Sequence, residues 1–342
     1  AYLRAYIAEA RRRGAHAALV TSPERRNFDE SGRIKDTLGS YADAVRKLAA
    51  EEQVSLIDLN ADSRAIYEAL GPQIAPTAFN DGGKDKIGLD EANSTLGGGE
   101  TQPFSLTAGR LYAPFGDFST HLVQDPFTQA LGEINEEGAV AGWSAHGLTL
   151  ALFVYDGLDH TGEDRADHGY GASLAYEQGN EGRGFRIGGG WVSNLADADT
   201  VGGALPCSAD NRIRLDRRVA GLNLYAGLRH GSLSLHTEYV AALAGFAADE
   251  LAWGGTGARP TAWASEVAWT TALKGHETTL ALGYQQTREA AALEMPEQRL
   301  SVSTAVALFA GTTLQLEYAN ASDSGTTSDH RQSFITRLAY AF

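Results

Sequence analysis

The chain repeatedly alternates large apolar residues with small or polar ones. In LTLALFVY (148–155), Leu148, Leu150, Leu152 and Val154 fall on one face. SLSLHTEYV (232–240) sets Leu233, Leu235 and Tyr239 against Ser234, His236 and Glu238. TTLALGYQQ (278–286) sets Leu280, Leu282 and Tyr284 against Thr279, Ala281, Gly283 and Gln285, and TLQLEYA (313–319) sets Leu314, Leu316 and Tyr318 against Gln315 and Glu317. A period of two is strand patterning with two unlike faces. It predicts about thirteen strands, at 86–96, 104–112, 138–145, 147–155, 169–177, 183–193, 218–229, 232–242, 260–271, 276–286, 298–308, 311–320 and 331–342. Several run to about 9–11 residues, the length that crosses a bilayer at a tilt.

The links between these runs alternate in length. HG (146–147), RHG (229–231) and AG (310–311) are short, whereas NLADADTVGGALPCSADNRIRLD (194–216) and NASDSGTTSDH (320–330) are long, polar and acidic. Short turns alternating with long loops are the pattern of an outer-membrane β-barrel. A soluble sandwich also alternates, but its second face meets water and collects charge. Here that face is mostly Gly, Ala, Ser, Thr, Asn and Gln, and Tyr and Trp recur near strand ends, where a membrane interface holds them.

Composition excludes other classes. No run of about 18 strongly apolar residues offers a spanning helix. The formal net charge of -15 argues against nucleic acid as a partner. The single cysteine, Cys207, excludes an internal disulfide framework. Residues 1–75 hold 11 basic and 11 acidic side chains, so the whole excess of negative charge falls on residues 76–342. All five Trp also lie in the later part. Two differently built pieces share the chain: 1–75, a junction at 76–85, and 86–342.

The first piece reads as αβαβα. AYLRAYIAEARRRG places Leu3, Tyr6, Ile7 and Ala10 on one helical face, with Gly14 suited to the C-terminal cap. AALV and VSLIDLN are short strands. Ser40 with Asp43 resembles a capping pair before the second helix, and Asn60 is placed to cap the third, ADSRAIYEAL, which Gly71-Pro72 stops. Helices alternating with strands imply parallel strand pairing.

Residues 2–72, YLRAYIAEARRRGAHAALVTSPERRNFDESGRIKDTLGSYADAVRKLAAEEQVSLIDLNADSRAIYEALGP, resemble the SGNH (GDSL) esterases, in the rhamnogalacturonan acetylesterase branch. The resemblance implies a flavodoxin-like α/β fragment. That family's nucleophile block and oxyanion-hole blocks lie upstream of this stretch, and its D-x-x-H block lies downstream. None is present, so no catalytic residue is assigned. Acyl transfer needs nucleophile, base and oxyanion hole together. Asp58, at a strand end, is expected to bond a turn or cap a helix. Ser22 and Ser63 have no His in sequence context to activate them.

Within the later piece, IGLDEANSTLGG, FSLTAGRLYAPFGDFSTHLVQDPFTQALGE and LALFVYDG resemble the LbtU-type siderophore porin family, above all in T-A-G-R-x-Y-x-P-F-G-x-F-x-T-H at 107–121. The resemblance covers about residues 79–342. It implies an outer-membrane porin, a ferric siderophore as solute, and strands upstream of IGLDEA that this chain lacks. The expectation is a barrel without its first strands joined to a partial esterase. The chain starts without Met or a leader, so a signal was removed or the sequence is a fragment.

Charges on the small-residue face mark the candidate pore lining: Arg110, Arg186, Arg229, His236, Glu238 and Arg337. The terminal SFITRLAYAF puts Phe334, Leu338, Tyr340 and Phe342 on one face, which the porin resemblance makes an assembly signal. The implied partners are outer-membrane lipid and the barrel-assembly machinery. No cofactor or metal site is expected. The scattered His lack ligand spacing, the two in DHTGEDRADHGY (159–170) read as part of a solvated loop, and GRGFRIGGG (182–190) opens no helix that would bind phosphate. The competing function is a secreted carbohydrate acetylesterase with a β-rich accessory domain.

Overall fold

A computed structural model describes residues 2–14, 17–25, 27–29, 31–74, 91–98, 102–157, 168–180, 182–206, 213, 215–309, 311–323 and 330–340. The chain divides into two compact units, Ala1–Leu89 and Asp90–Phe342. The expected junction at 76–85, residues 86–90 of the first expected strand, Cys207, residues 159–167 and Phe342 lie outside the described residues.

In the first unit, α1 (Tyr2–Arg12), β1 (Ala18–Val20), α2 (Gly39–Glu52), β2 (Ser55–Ile57) and α3 (Leu59–Ile74) follow the expected order. β1 and β2 pair in parallel, Ala18 opposite Ser55 and Val20 opposite Ile57. Ile7, Leu19 and Ala49 form the small core, packed by Val45, Leu48 and Val54. Of the apolar face expected on α1, only Ile7 is buried, while Leu3 and Tyr6 are exposed. Gly14 has φ +72, a conformation that suits glycine after a helix. Two capping assignments change. Asp36 Oδ1, not Ser40, accepts the Gly39 N–H at 2.6 Å. Asn60 lies inside the first turn of α3, and Asp58 bonds the turn by accepting the Ala61 N–H at 3.3 Å. At Gly71 (φ 73, ψ 170) the helix kinks before Pro72, so the break falls where the sequence put it.

The second unit is mainly β. Its strands are β3 (Ala92–Gly97), β4 (Phe104–Tyr112), β5 (Asn135–Ala145), β6 (Leu148–Asp156), β7 (His168–Gly179), β8 (Arg183–Val192), β9 (Gly221–His230), β10 (Leu233–Ala242), the two-residue pieces β11 (Ala252–Trp253) and β12 (Thr256–Gly257), and β13 (Thr261–Leu273), β14 (His276–Arg288), β15 (Gln298–Phe309), β16 (Thr312–Ser322) and β17 (His330–Tyr340). Two short helices, α4 (Phe127–Gly132) and α5 (Asp199–Ala204), lie in loops. All but β11 and β12 form one antiparallel sheet of 13 strands, each paired with its sequence neighbour in that sheet. Every expected strand has its counterpart. At the short turns, His146-Gly147 (φ 51, 80) and Lys274-Gly275 (φ 51, 84) take positive φ at both central positions, the hairpin geometry that matches strand twist.

Register fixes the faces. Leu150 pairs with Trp143 and Leu174, and Leu282 with Val267 and Val302; these rows point outward, and all of them but the half-buried Trp143 are exposed. Among the described residues, no helix is long and apolar enough to cross a membrane. Apolar exposure on this scale is rare on soluble monomers, where contiguous patches seldom exceed a few hundred Å². Aromatic pairs stand near both ends of the outer face: Tyr176 with Phe185 near the short turns, and Tyr170 with Trp191 and Trp263 with Tyr284 near the long loops. On β17, Phe334 and Leu338 are outward and exposed, and Tyr340 shares their register, opposite Thr312.

The loop end holds a correction. Residues 194–205, part of the loop read as long, polar and acidic, are largely buried: Leu195, Ala198 and Val201 are fully enclosed. They pack with Phe115, Leu131, Val219, Phe246 and Leu251 in one hydrophobic core. The acidic residues in the run hid its apolar content, and Asp197 is itself buried.

Candidate functional site

Between β4 and β5 the chain does not turn back at once. Residues 113–134 run along the inner face of the sheet and return through α4. The sequence permits this by removing side chains where the segment touches the wall. A Cβ on Gly190 would strike the Phe115 backbone, and one on Gly283 would lie 2.6 Å from a Leu122 methyl. Gly116 has the same role from the segment's side, since a Cβ there would meet the Asn223 amide at 2.5 Å. The Gly-rich run at 188–190 is thus a flat place in the wall, consistent with its failure to fit a phosphate loop.

Three wall carboxylates hold the segment. Glu238 on β10 accepts from the N–H groups of Asp117 (2.9 Å) and Phe118 (3.2 Å), from the Thr128 hydroxyl (2.9 Å) and from the Asn223 amide (2.7 Å). Glu266 on β13 accepts from the Thr120 hydroxyl (2.5 Å) and the His121 N–H (2.9 Å), and faces His121 Nδ1 at 2.7 Å. Glu317 on β16 accepts from the N–H groups of Val123 and Gln124. Glu238 and Glu317 are each 1% exposed and Glu266 is 8%. Buried carboxylates are costly unless their oxygens are bonded; each of these accepts from a backbone N–H that also needs a partner, while Glu317 Oε1 is left without one.

Neutral and cationic wall groups complete the seating. Gln285 accepts the Phe127 N–H at 2.8 Å, and Gln315 donates to the His121 carbonyl at 2.6 Å. Arg299 reaches the Asp125 carbonyl and Gln124 Oε1, and its guanidinium lies 4.4 Å from the Phe127 ring centre. On the other edge of the segment, Asp117 meets Arg186 in an ion pair and lies 3.2 Å from His236 Nε2. Arg186 also donates to the Ser119 hydroxyl at 3.2 Å. Burial works to raise the Asp117 carboxyl; contacts from His236 and Ser119 and the Arg186 charge outweigh it and bring it down to about 2. The bond to Glu266 holds the His121 imidazole above its ordinary value, against the opposing effect of burial.

Arg186, His236 and Glu238 therefore meet the segment directly, whereas Arg337 donates to Gln315 Oε1 at 2.7 Å and reaches it through that side chain. Arg229 is inward but lies near the turns, on the Asn180 carbonyl at 3.1 Å. Arg110 does not line the inner face. It shares the outward register of Phe104 and Leu106, opposite Glu137, because β4 alternates one position out of step with that expectation. Sequence reasoning missed Glu266, Glu317, Gln285 and Arg299. The available signal was a lone acid in mid-strand on a face of small residues, as in SLSLHTEYV, SEVAWTTAL and TLQLEYA. Among the described residues, no group of three or more His, Cys, Asp or Glu is placed to hold a metal ion.

In the first unit, Asp58 accepts from Thr21 (2.9 Å) and from Arg46 (2.7 and 3.0 Å). The Arg46 bonds lead in holding its carboxyl down to about 2. Ser63 donates to the Leu59 carbonyl and accepts the Glu24 N–H. Asp58 is engaged by α2 and by the end of β1, and Ser63 bonds its own helix and the Glu24 backbone.

No protein-family model matches the chain. A UPF0422 protein of Coxiella burnetii is 30% identical over 249 residues, 71% of this chain and 52% of that protein. A UPF0422 protein of Legionella pneumophila is 29% identical over 273 residues, 76% of this chain and 49% of its own length. The chain thus spans about half of these relatives. Rhamnogalacturonan acetylesterase RhgT of Bacillus subtilis is 47% identical over 78 residues, 23% of this chain and 34% of that enzyme. Among solved structures, the outer membrane channel DcaP of Acinetobacter baumannii aligns at TM-score 0.46 and 12% identity, covering 75% of this chain and 82% of that one. OpdK of Pseudomonas aeruginosa, solved with vanillate, aligns at TM-score 0.38 and 12% identity, covering 70% and 67%. Likenesses this distant carry no weight for function.

Proposed function

We propose that residues 90–342 form an outer-membrane channel for small solutes, whose bore is shaped by the segment 113–134. One observation carries this reading: the sheet turns large apolar rows outward along its strands and buries Glu238, Glu266, Arg299 and Glu317 on the inner face, against that segment. Lipid is the solvent that satisfies such an outer face, and strands are one of the two ways a backbone crosses it. The finer assignment, passage of a ferric siderophore, draws its support from the motif at 107–121. Phe334, Leu338, Tyr340 and Phe342 are proposed as the signal for outer-membrane assembly. Swelling of liposomes containing the full chain tests the reading. Small sugars should enter at rates falling with size, and an iron-chelate should compete with them. Vesicle insertion without solute entry contradicts it.

Residues 1–75 are proposed to be non-catalytic. Support comes from Asp58, whose carboxylate is taken by Arg46 and Thr21, and from Ser63, whose hydroxyl bonds the Leu59 carbonyl and the Glu24 N–H. The full chain should not turn over p-nitrophenyl acetate; saturable, serine-inhibitor-sensitive turnover contradicts this.

A further inference from the structure

The bonds that seat the inner segment come mostly from the wall's side chains to the segment's backbone. A carboxylate offers acceptors for several N–H groups and no donor, so one Glu can hold two successive residues of an extended chain. Glu238, Glu266 and Glu317 do this at three points along 117–124, from three different strands. The wall beneath is cut back to match: Gly190 admits the Phe115 backbone and Gly283 admits Leu122. Carboxylate pins above glycine recesses lay the segment along the wall. Before α4 begins at Phe127 the segment has no secondary structure of its own to hold that course.

We propose that Glu238, Glu266 and Glu317 are positioning residues that keep the passage open by pinning residues 117–124 into this recess. With the pins neutralised, the segment leaves the wall and intrudes on the bore. The inference rests on the channel reading above.

The test uses the full chain with Cys207→Ser, in planar bilayers, with heat-modifiable mobility as the check of insertion. Glu238→Ala and Glu317→Gln should each lower mean conductance at least twofold through frequent closures. The recess at Gly283 supplies the control. Leu122→Cys with Gly283→Cys places two sulfurs across the recess. When oxidised, this pair should restore steady conductance to either Glu variant and leave the parent unchanged; reduction should bring the closures back. A merely destabilised wall would not be rescued reversibly by one bond inside the recess. Conductance in the Glu variants equal to the parent, or closures that the cross-link fails to remove, overturns the inference. If Glu238→Ala does not insert, Glu317→Gln carries the same comparison. Insertion of the parent and all variants without conductance overturns the channel reading, and this inference with it.

Discussion

The two faces of the 13-stranded sheet invert what water demands of a protein surface. On β6, Leu150 and Leu152 stand exposed while Ala151 and Phe153 are buried; on β16, Tyr318 is exposed while its neighbour Glu317 is enclosed. Across the strands, the larger apolar side chains face out and several charges face in. Such a sheet in water leaves its apolar rows without partners. In a bilayer, each row meets hydrocarbon and the inner polar groups meet one another. The comparison also separates two kinds of information. An outer residue needs only lipid, so its role follows from its place in a two-residue period. An inner residue needs a particular partner, and Val123 and Glu317 are 194 positions apart.

The largest effect is expected on the inner face. Glu238→Ala strands four donors in a buried site, each costing about 1–3 kcal/mol when left unpaired. Thermal unfolding in detergent should show a loss larger than that of any single outer-face change. Glu238→Gln, which keeps one acceptor oxygen, should lose less. If the Ala variant unfolds like the parent, the segment is not held as described.

The outer face comes next. Leu150→Arg places a cation at a lipid-facing site, at a cost of about 2–4 kcal/mol near the midplane. Thr149→Arg, one residue along and turned inward, should cost under about 1 kcal/mol by the same reasoning. Refolding yield into vesicles, titrated with urea, measures both. Equal losses would erase the distinction between the faces.

Two smaller effects depend on pH. Asp117 has its carboxyl held at about 2, below its ordinary value. The stability this contributes is present above the ordinary value and is lost as pH falls through about 2. Asp117→Asn should therefore cost on the order of 2 kcal/mol at neutral pH, and the gap from the parent should close in strong acid. His121 is shifted the other way. Its contribution is present below the ordinary imidazole value and disappears as pH rises through the raised one. Because the side chain is half exposed, the effect should stay below about 1 kcal/mol. Thermal midpoints across the neutral to mildly alkaline range should fall in the parent and stay flat in His121→Gln.

Much of the fold was legible because alternation is local. The span 104–112 agrees with β4 at both ends, and the His146-Gly147 turn falls where expected. Local signals failed where distant contacts decide. Arg110 has the same small-residue neighbourhood in sequence as a lumen-facing charge, yet its register with Glu137 turns it outward. Residues 194–205 look solvated because Asn194, Asp197 and Asp199 punctuate them. Their apolar residues are claimed by Phe115 and Leu131, which no local pattern reveals. Glu238 was singled out as a charge on an inner face, but its partners at 117, 118 and 128 emerge only when the segment is laid across the strand.

The most direct test of an outer face in lipid and an inner face in protein is a cysteine scan of residues 149–154, each single Cys built on Cys207→Ser. Spin labels on the chain reconstituted in vesicles report collisions with lipid-soluble oxygen and with a water-soluble nickel complex. Positions 150, 152 and 154 should be oxygen-accessible, and 149, 151 and 153 should not, giving a period of two. Nickel access at 150, 152 and 154, or no alternation along the strand, would contradict the membrane-spanning sheet.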